Sequence, residues 1–465
     1  MAVPLFQTPP WTLGVFYAAL GLALGALAER ANFCMVIATH QVMGIRYSRI
    51  YEMILTSIAV PALLAGLLVA AGLVPAVDAY AYMPGAGWYT ILGSFIFGFG
   101  MMLGQGCMVG MLWKSGQGYV VNWLEILGMM AGTIVFAFPI YTGLHLGWWW
   151  SSTNAASVAN GSPLNYVPYL LSSAIQIRLA ALVAGVAFFA AIFLAVLRLR
   201  ENRLEFEGKE SLRGSPLLYG TLFAVIMVAS FLFLAGRGFN YLGVTTPVGL
   251  LAEYAIAPFG GRSMPQNWFQ TVPAVNPFTF FVLMIVAGAA VASIARGTFS
   301  IKLPPPNTNR AAELGIAFAG GAILAVGARI AQGCSVGGFW SGLAGLSLFG
   351  LLFTMGIIPG SVAGYYAYVY LSSAAAGRAK PRAFSMKASR WWGPAFAAVW
   401  GLVLIGVGFY VMGYGPLMAK PTSPAAALQY AEVLVGSGIS VALAGFFAGA
   451  LRKAPRPAPP PQAER

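Results

Sequence analysis

A chain of 465 residues that is 59% hydrophobic, only 8% charged and +0.78 in mean hydropathy cannot fold as a water-soluble domain, where charged residues run to about 25%. The apolar excess faces lipid, so the fold class is an all-α polytopic membrane protein. The net charge of +14 reports topology before it reports a polyanion, and no nucleic-acid partner is expected.

The chain opens on "MAVPLFQTPPWTLGVFYAALGLALGALAER", which lacks the basic n-region of a cleaved signal and therefore reads as a retained first span. A span needs about 20 apolar residues. Eleven runs are candidates, near 12–29, 51–74, 88–103, 120–142, 177–198, 217–236, 277–295, 311–330, 349–372, 394–413 and 428–451. The third, "WYTILGSFIFGFGMML", is short and interrupted by glycine.

Basic residues orient these runs. Segments rich in Lys and Arg follow spans five, seven, nine and eleven, and Arg30, Arg46, Arg49 and Lys114 follow spans one and three. Of the 26 basic residues, only Arg178, Arg237, Arg262, Arg329 and Lys420 fall on the other side. The positive-inside rule then predicts an external (periplasmic) amino terminus and a cytoplasmic carboxyl terminus. The loop "GLHLGWWWSSTNAASVANGSPLNYVPYLLSS" carries no Lys or Arg, as an external segment should, and its tryptophans suit the outer interface.

A repeat runs through these spans. "GQGCMVGMLWKSGQG", from Gly104, returns as "AQGCSVGGFWSGLAG", from Ala331. Aligning Cys107 with Cys334 also matches Gly93, Gly100, Gln105, Gly106, Val109, Gly110, Trp113 and Gly118 with Gly320, Gly327, Gln332, Gly333, Val336, Gly337, Trp340 and Gly345. Small residues serve close helix packing and account for part of this pattern; matched Trp and Gln around a rare cysteine point to common ancestry. A weaker pair is "RANFCMVIATHQVMG" and "RGFNYLGVTTPVGLL". On the predicted topology the copies are upside down, as in transporters built from inverted repeats. The expected organisation is a first repeat at 1–200, an inverted second repeat at 214–373, a further pair of spans at 391–452 and a disordered cytoplasmic tail at 453–465.

The segments after the two Gln-Gly-Cys turns are too short to cross a membrane and read as re-entrant half-helices, tolerated where protein or a watery cavity surrounds them. Half-helix amino ends present unpaired N–H groups and a positive dipole end, which suits an anion without a buried Lys or Arg. Gly106 and Gly333 would let an anion approach the backbone.

The chain has three cysteines, Cys34, Cys107 and Cys334, with no C-x-x-C pair, and its two histidines, His40 and His145, are far apart. That excludes a disulfide framework, a dithiol carrier and a metal cluster, and no cofactor is expected. A buried thiol is either a small hydrophobe or a soft, polarisable S–H contact for a sulphur or selenium atom. Gln105 and Gln332 either cap their own half-helices or offer amide donors to substrate oxygens. Arg30, Lys114, Arg237 and Arg329 are either interfacial anchors or attractors of anions at the two entrances.

"ERANFCM", "GQGCMVG" and "AQGCSVGG", in that order within glycine-rich spans, resemble the YeeE/YedE family of sulphur transport proteins over roughly residues 12–372. That resemblance implies a thiosulfate transporter of the bacterial inner membrane rather than an enzyme. It also implies an hourglass-shaped pore and three cysteines passing thiosulfate along by transient S–H···S contacts, with Cys34, Cys107 and Cys334 at the three motif positions. No TusA-like carrier domain is fused to the chain, so such a carrier on the cytoplasmic side would be a separate protein. Sulfite or selenite as the transported anion is one alternative; a membrane thiol enzyme forming a persulfide is another.

Overall fold

The computed structural model describes residues 10–45, 49–80, 88–137, 166–172, 174–207, 215–234, 242–256, 277–306 and 308–375. The spans expected at 394–413 and 428–451, the tail, and Arg237, Arg262 and Lys420 lie outside the described residues, as does most of the external loop.

Apolar runs of about twenty residues fold as helices because, in lipid, a helix satisfies every backbone polar group internally. In chain order these are α1 (Pro10–Ala31), α2 (Met35–Ile45), α3 (Arg49–Ala70), α4 (Ala76–Ala79), α5 (Trp88–Gly104), α6 (Met108–Gly116), α7 (Val120–Val135), α8 (Val167–Leu171), α9 (Ile177–Glu207) and α10 (Pro216–Leu234). There follow α11 (Thr245–Ile256), α12 (Pro277–Arg296), α13 (Arg310–Ala331), a π-helical stretch (Ser335–Trp340), α14 (Ser341–Ala344) and α15 (Leu348–Ala375). No strand occurs among the described residues. Seven helical stretches are long and apolar enough to cross a membrane, and two shorter apolar helices, at 120–135 and 216–232, coincide with further predicted spans. This is an all-α, multi-pass membrane protein.

One boundary moves. The fifth span, expected to end near 198, continues as helix to Glu207. Its extra turns, "LRENRLEFE", hold good helix formers and no Gly or Pro, so the helix runs on past its apolar part.

The centre of the molecule is the crossing of α5 and α13. A Cβ added to Gly93 would fall within 3.0 Å of the Ala331 backbone, and one added to Gly320 within 3.0 Å of the Gly104 backbone. Likewise Gly100 packs on Leu324, and Gly327 on Phe97. The helices are therefore antiparallel, and each contact recurs with the partners exchanged. Glycine at these positions lets two backbones touch, which is how transmembrane helices gain dispersion contact without a hydrophobic driving force.

The same exchange extends outward. Helix α1 packs on α12 and α10 on α3; α7 packs on α13 and α15 on α5. This frame surrounds four short pieces, α2, α6, α11 and the π-helical stretch, which project inward. At about 1.5 Å per residue the nine residues of α6 reach only about 14 Å, less than half a hydrocarbon core.

One end of the frame is tied by charge. Glu29, buried at the end of α1, accepts from Arg296 at the end of α12 and from Gln117 Nε2 at 2.9 Å. Lys302 completes this end through backbone bonds to the α6–α7 connection, Lys302 N–H to Gly118 O at 2.8 Å and Val120 N–H to Lys302 O at 3.1 Å.

Candidate functional site

Each Gln-Gly-Cys turn is made by a left-handed glutamine. Gln105 has φ +66° and Gln332 φ +60°, a conformation rarely adopted by non-glycine residues. The turn ends α5 or α13 and immediately starts the next short helix. Cysteine is its N-cap: Cys107 Sγ accepts from Gly110 N–H at 3.3 Å, and Cys334 Sγ from Gly337 N–H at 3.3 Å. This is the bond a capping serine makes through oxygen, here made by sulphur.

The second half-helix is wound differently. Both Gly338 N–H (2.7 Å) and Phe339 N–H (3.2 Å) bond to Cys334 O, and the six residues Ser335–Trp340 form a π-helical turn. Such turns are uncommon and concentrate at functional sites.

Three amino ends converge on the buried thiols. Cys107 Sγ accepts a second bond, from Met35 N–H at the start of α2, at 3.3 Å. Cys34, the residue before α2, lies with its sulphur 3.7 Å from Cys107 Sγ, within S–H···S reach. Met108 N–H donates to Ser335 Oγ at 3.4 Å, joining α6 to the π-helical turn. Two tryptophans brace the group, Trp113 Nε1 on Phe33 O and Trp340 Nε1 on Ser57 Oγ, each at 2.9 Å.

All three cysteines are free and buried. Cys34 and Cys107 are brought together directly; Cys334 connects to them through its neighbour Ser335. Beside Cys107 a cavity of about 20 Å³, lined by Phe33, Met35, Ser335, Phe339 and Trp340 among others, has space for about one water molecule.

The polar residues singled out in the sequence take distinct positions. Gln105 donates from Nε2 to Glu313 Oε2 at 3.3 Å and accepts at its carbonyl from Lys114 Nζ at 2.6 Å. Gln332 is the left-handed cap of α13, its N–H directed at Ala328 O and Arg329 O. A Cβ at Gly106 would meet the Glu125 carboxyl group, and one at Gly333 the Phe349 ring, so both glycines are packed against the protein itself. Lys114 is buried, Arg30 is exposed, and Arg329 is buried with Nη2 on Thr245 O at 3.3 Å. Arg237 is outside the described residues.

Sequence reasoning did not single out Met35 or Ser335. Ser335 had a signal available, because it is the repeat counterpart of Met108; the bond from Met35 N–H had none, since any residue supplies that N–H.

The family described as sulphur transport matches this chain over residues 30–363. The thiosulfate transporter TsuA of Escherichia coli strain K12 is 26% identical over 321 residues, covering 68% of this chain and 84% of that protein. The thiosulfate transporter TsuA of Spirochaeta thermophila is 24% identical over 349 residues, covering 74% of this chain and 95% of that protein. A shorter similarity, 28% over 118 residues and 25% of this chain, is to the probable transporter YedE of Escherichia coli K12, of which it covers 28%.

Proposed function

The chain belongs to the sulphur transport family, and from that membership we propose that it imports thiosulfate across the bacterial inner membrane through a passage lined by Cys34, Cys107 and Cys334. The observation that carries this reading is the 3.7 Å contact between Cys34 and Cys107 beneath the amino ends of α2 and α6.

Thiosulfate has a soft terminal sulphur and a hard anionic sulfonate. Three thiols in sequence offer the terminal sulphur equivalent S–H contacts, so it exchanges one partner for the next with little change in energy. Helix amino ends favour the negative charge along the way. Protonated thiols suit this role, because thiolates would repel the anion. Gln105, Gly106, Gln332 and Gly333 belong to the site as the turns that present Cys107 and Cys334. Arg30, Arg237 and Arg329 are proposed to attract the anion toward the two ends.

The exchanged contacts of α5 and α13 support an inverted repeat, with the thiols near the mid-plane where its halves meet. The small cavity beside Cys107 implies that the half-helices separate to let the anion by. The relatives' names are those of transporters, which supports a role other than catalysis. On the cytoplasmic side a separate TusA-like carrier is the proposed acceptor.

The test is uptake of labelled thiosulfate by liposomes holding the purified protein alone, with unlabelled thiosulfate, sulfite and selenite as competitors. Uptake above protein-free liposomes, displaced best by thiosulfate, is expected. Stronger displacement by sulfite or selenite would reassign the substrate, and background uptake of all three would sink the transport reading. Persulfide chemistry is read separately: a gain of one sulphur in intact mass after exposure to thiosulfate would favour the enzyme.

A further inference from the structure

Every other buried serine among the described residues has its hydroxyl committed within the protein. Ser57 donates to Ile54 O at 2.7 Å and Ser115 to Met111 O at 2.6 Å. Ser94, Ser293, Ser341, Ser347 and Ser361 likewise bond carbonyls, and Ser230 shares a bond with the Tyr17 hydroxyl. Ser335 is the exception. It is 8% exposed, and its one hydrogen bond among the described residues is accepted by Oγ from Met108 N–H at 3.4 Å. A serine hydroxyl carries a donor besides its acceptor sites, so the Ser335 hydrogen has no acceptor among these residues.

The backbone explains the exception. Inside a helix a serine returns its hydrogen to a carbonyl three or four residues back. Ser335 is the first residue of the π-helical turn, and Cys334 before it is extended, at φ −143° and ψ −178°, so there is no preceding turn to bond. Its counterpart at the 227-residue offset is Met108, whose side chain donates nothing. The donor therefore exists in one half only.

The same residue borders a cavity. Ser335 and Cys107 both line the space of about 20 Å³, and Ser335 is the one lining residue with an oxygen-bearing side chain. Beyond Cys107 the other lining side chains are apolar except Trp340, whose Nε1 is already bonded to Ser57 Oγ at 2.9 Å. Cys334 adjoins Ser335 in the chain. A buried donor without an acceptor is costly in such surroundings, and a group of this kind calls for a partner from outside the protein.

We infer that Ser335 is a specificity-determining contact, its O–H donating to a sulfonate oxygen of the anion while the terminal sulphur exchanges between Cys107 and Cys334. The ligand class is a two-ended anion, soft at one sulphur and hard at its oxygens. Thiols serve the first end and the hydroxyl the second. This deepens the transport reading and rests on it.

The experiment is uptake of labelled thiosulfate by liposomes holding full-length Ser335→Ala, Ser335→Thr or Ser335→Cys, each reduced before reconstitution and kept free of oxygen. Threonine keeps both donor and acceptor. Cysteine keeps the acceptor, since sulphur accepts from Gly110, Gly337 and Met35 N–H in this protein, but it is a weak donor. KM is expected to rise about tenfold in the alanine and cysteine variants with the maximal rate near wild type, as for one lost hydrogen bond to a charged group. The threonine variant should stay within about threefold of wild type, because its donor remains.

A cysteine variant with the wild-type KM would reduce Ser335 to an acceptor for Met108 and overturn the inference. So would an alanine variant with the wild-type KM, or a threonine variant as impaired as alanine. Should the alanine variant fail to fold, cysteine against threonine decides, since both keep the bond to Met108. Absence of uptake by the wild-type protein would sink the transport reading and this inference with it. Wild-type uptake together with an unmoved Ser335→Cys would sink the inference alone.

Discussion

The Met108 amide donates to the Ser335 hydroxyl over 3.4 Å, and the two residues are repeat counterparts 227 positions apart. In the proposed inverted repeat, a contact between counterparts lies on the axis that would relate the two halves. Around it several contacts occur in both halves: the cap of Cys107 on Gly110 and of Cys334 on Gly337, the Gly93–Ala331 and Gly320–Gly104 approaches, and the two left-handed glutamines. The thiols break the pairing, because Cys34 faces Cys107 and no cysteine corresponds to it in the second half. The two Gln-Gly-Cys turns therefore match, while the helices they start, α-helical at Met108–Gly116 and π-helical at Ser335–Trp340, and the thiols around them do not.

Serine at 107 separates structure from chemistry. It keeps an N-cap acceptor for Gly110 N–H, whereas alanine loses it at a cost of about 0.5–1 kcal/mol. Cys107→Ser is expected to melt within a few degrees of wild type in detergent, and Cys107→Ala lower. Uptake should fall in both by about tenfold or more, the equivalent of one lost contact of about 1.4 kcal/mol in the transition state. A serine variant that transports at the wild-type rate would remove sulphur at 107 from the mechanism.

Gly110 and Gly337 are counterparts with unlike surroundings. A Cβ at Gly110 would collide with Cys34 Sγ and lie 3.1 Å from Cys107 Sγ, while one at Gly337 would meet nothing nearer than 3.9 Å. Gly110→Ala is expected to push the two sulphurs apart, cost about 1–3 kcal/mol by overpacking and abolish most uptake. Gly337→Ala should leave melting temperature and uptake close to wild type. Equal effects at the two positions would contradict the geometry.

Much of the frame was readable in the sequence because hydrophobic length is a one-dimensional property. The nine predicted spans that fall on described residues lie on helices, and the pieces after Cys34 and Cys107 are short helices. What pattern reading did not supply is three-dimensional. The meeting of Cys34 and Cys107 joins residues 73 positions apart, and no spacing rule predicts it. Lys114 reads as an interfacial cation because its helix looks amphipathic in isolation; it is buried because α6 is enclosed by α1, α7 and α12. Glutamine in a left-handed turn is equally invisible, since the glycine beside it is the residue expected to adopt that conformation.

The exchanged contacts of α5 and α13 predict matched costs. Alanine at Gly93 drives its Cβ into Ala331, and alanine at Gly320 drives its Cβ into the Leu103–Gly104 backbone. Each substitution should destabilise the protein by about 1–3 kcal/mol, and the two values should agree within about 0.5 kcal/mol. Thermal or denaturant unfolding in detergent measures both. A large cost at one position with none at the other would show that the crossing is not shared equally.

Lys302 supplies a pH signature at the end of the frame, in the connection between α12 and α13. Its ammonium lies 4.2 Å from the centre of the Tyr119 ring. Burial lowers its pKa from 10.5 to about 8; Glu29 opposes the shift and Arg296 adds to it. Between those two values the unfolded chain holds a proton that the folded protein has released, so the Lys302 contribution makes stability rise as pH increases from about 8 toward 10.5. It is lost as pH falls through about 8, where the folded protein must carry the charge partly desolvated. Acetylation of Lys302, followed by peptide mass spectrometry across pH, should reach half its limiting rate near pH 8. A midpoint near 10.5 would show that the side chain is fully hydrated. Lys302→Met should remove this part of the pH slope of the melting temperature, and an unchanged slope would assign it to another group.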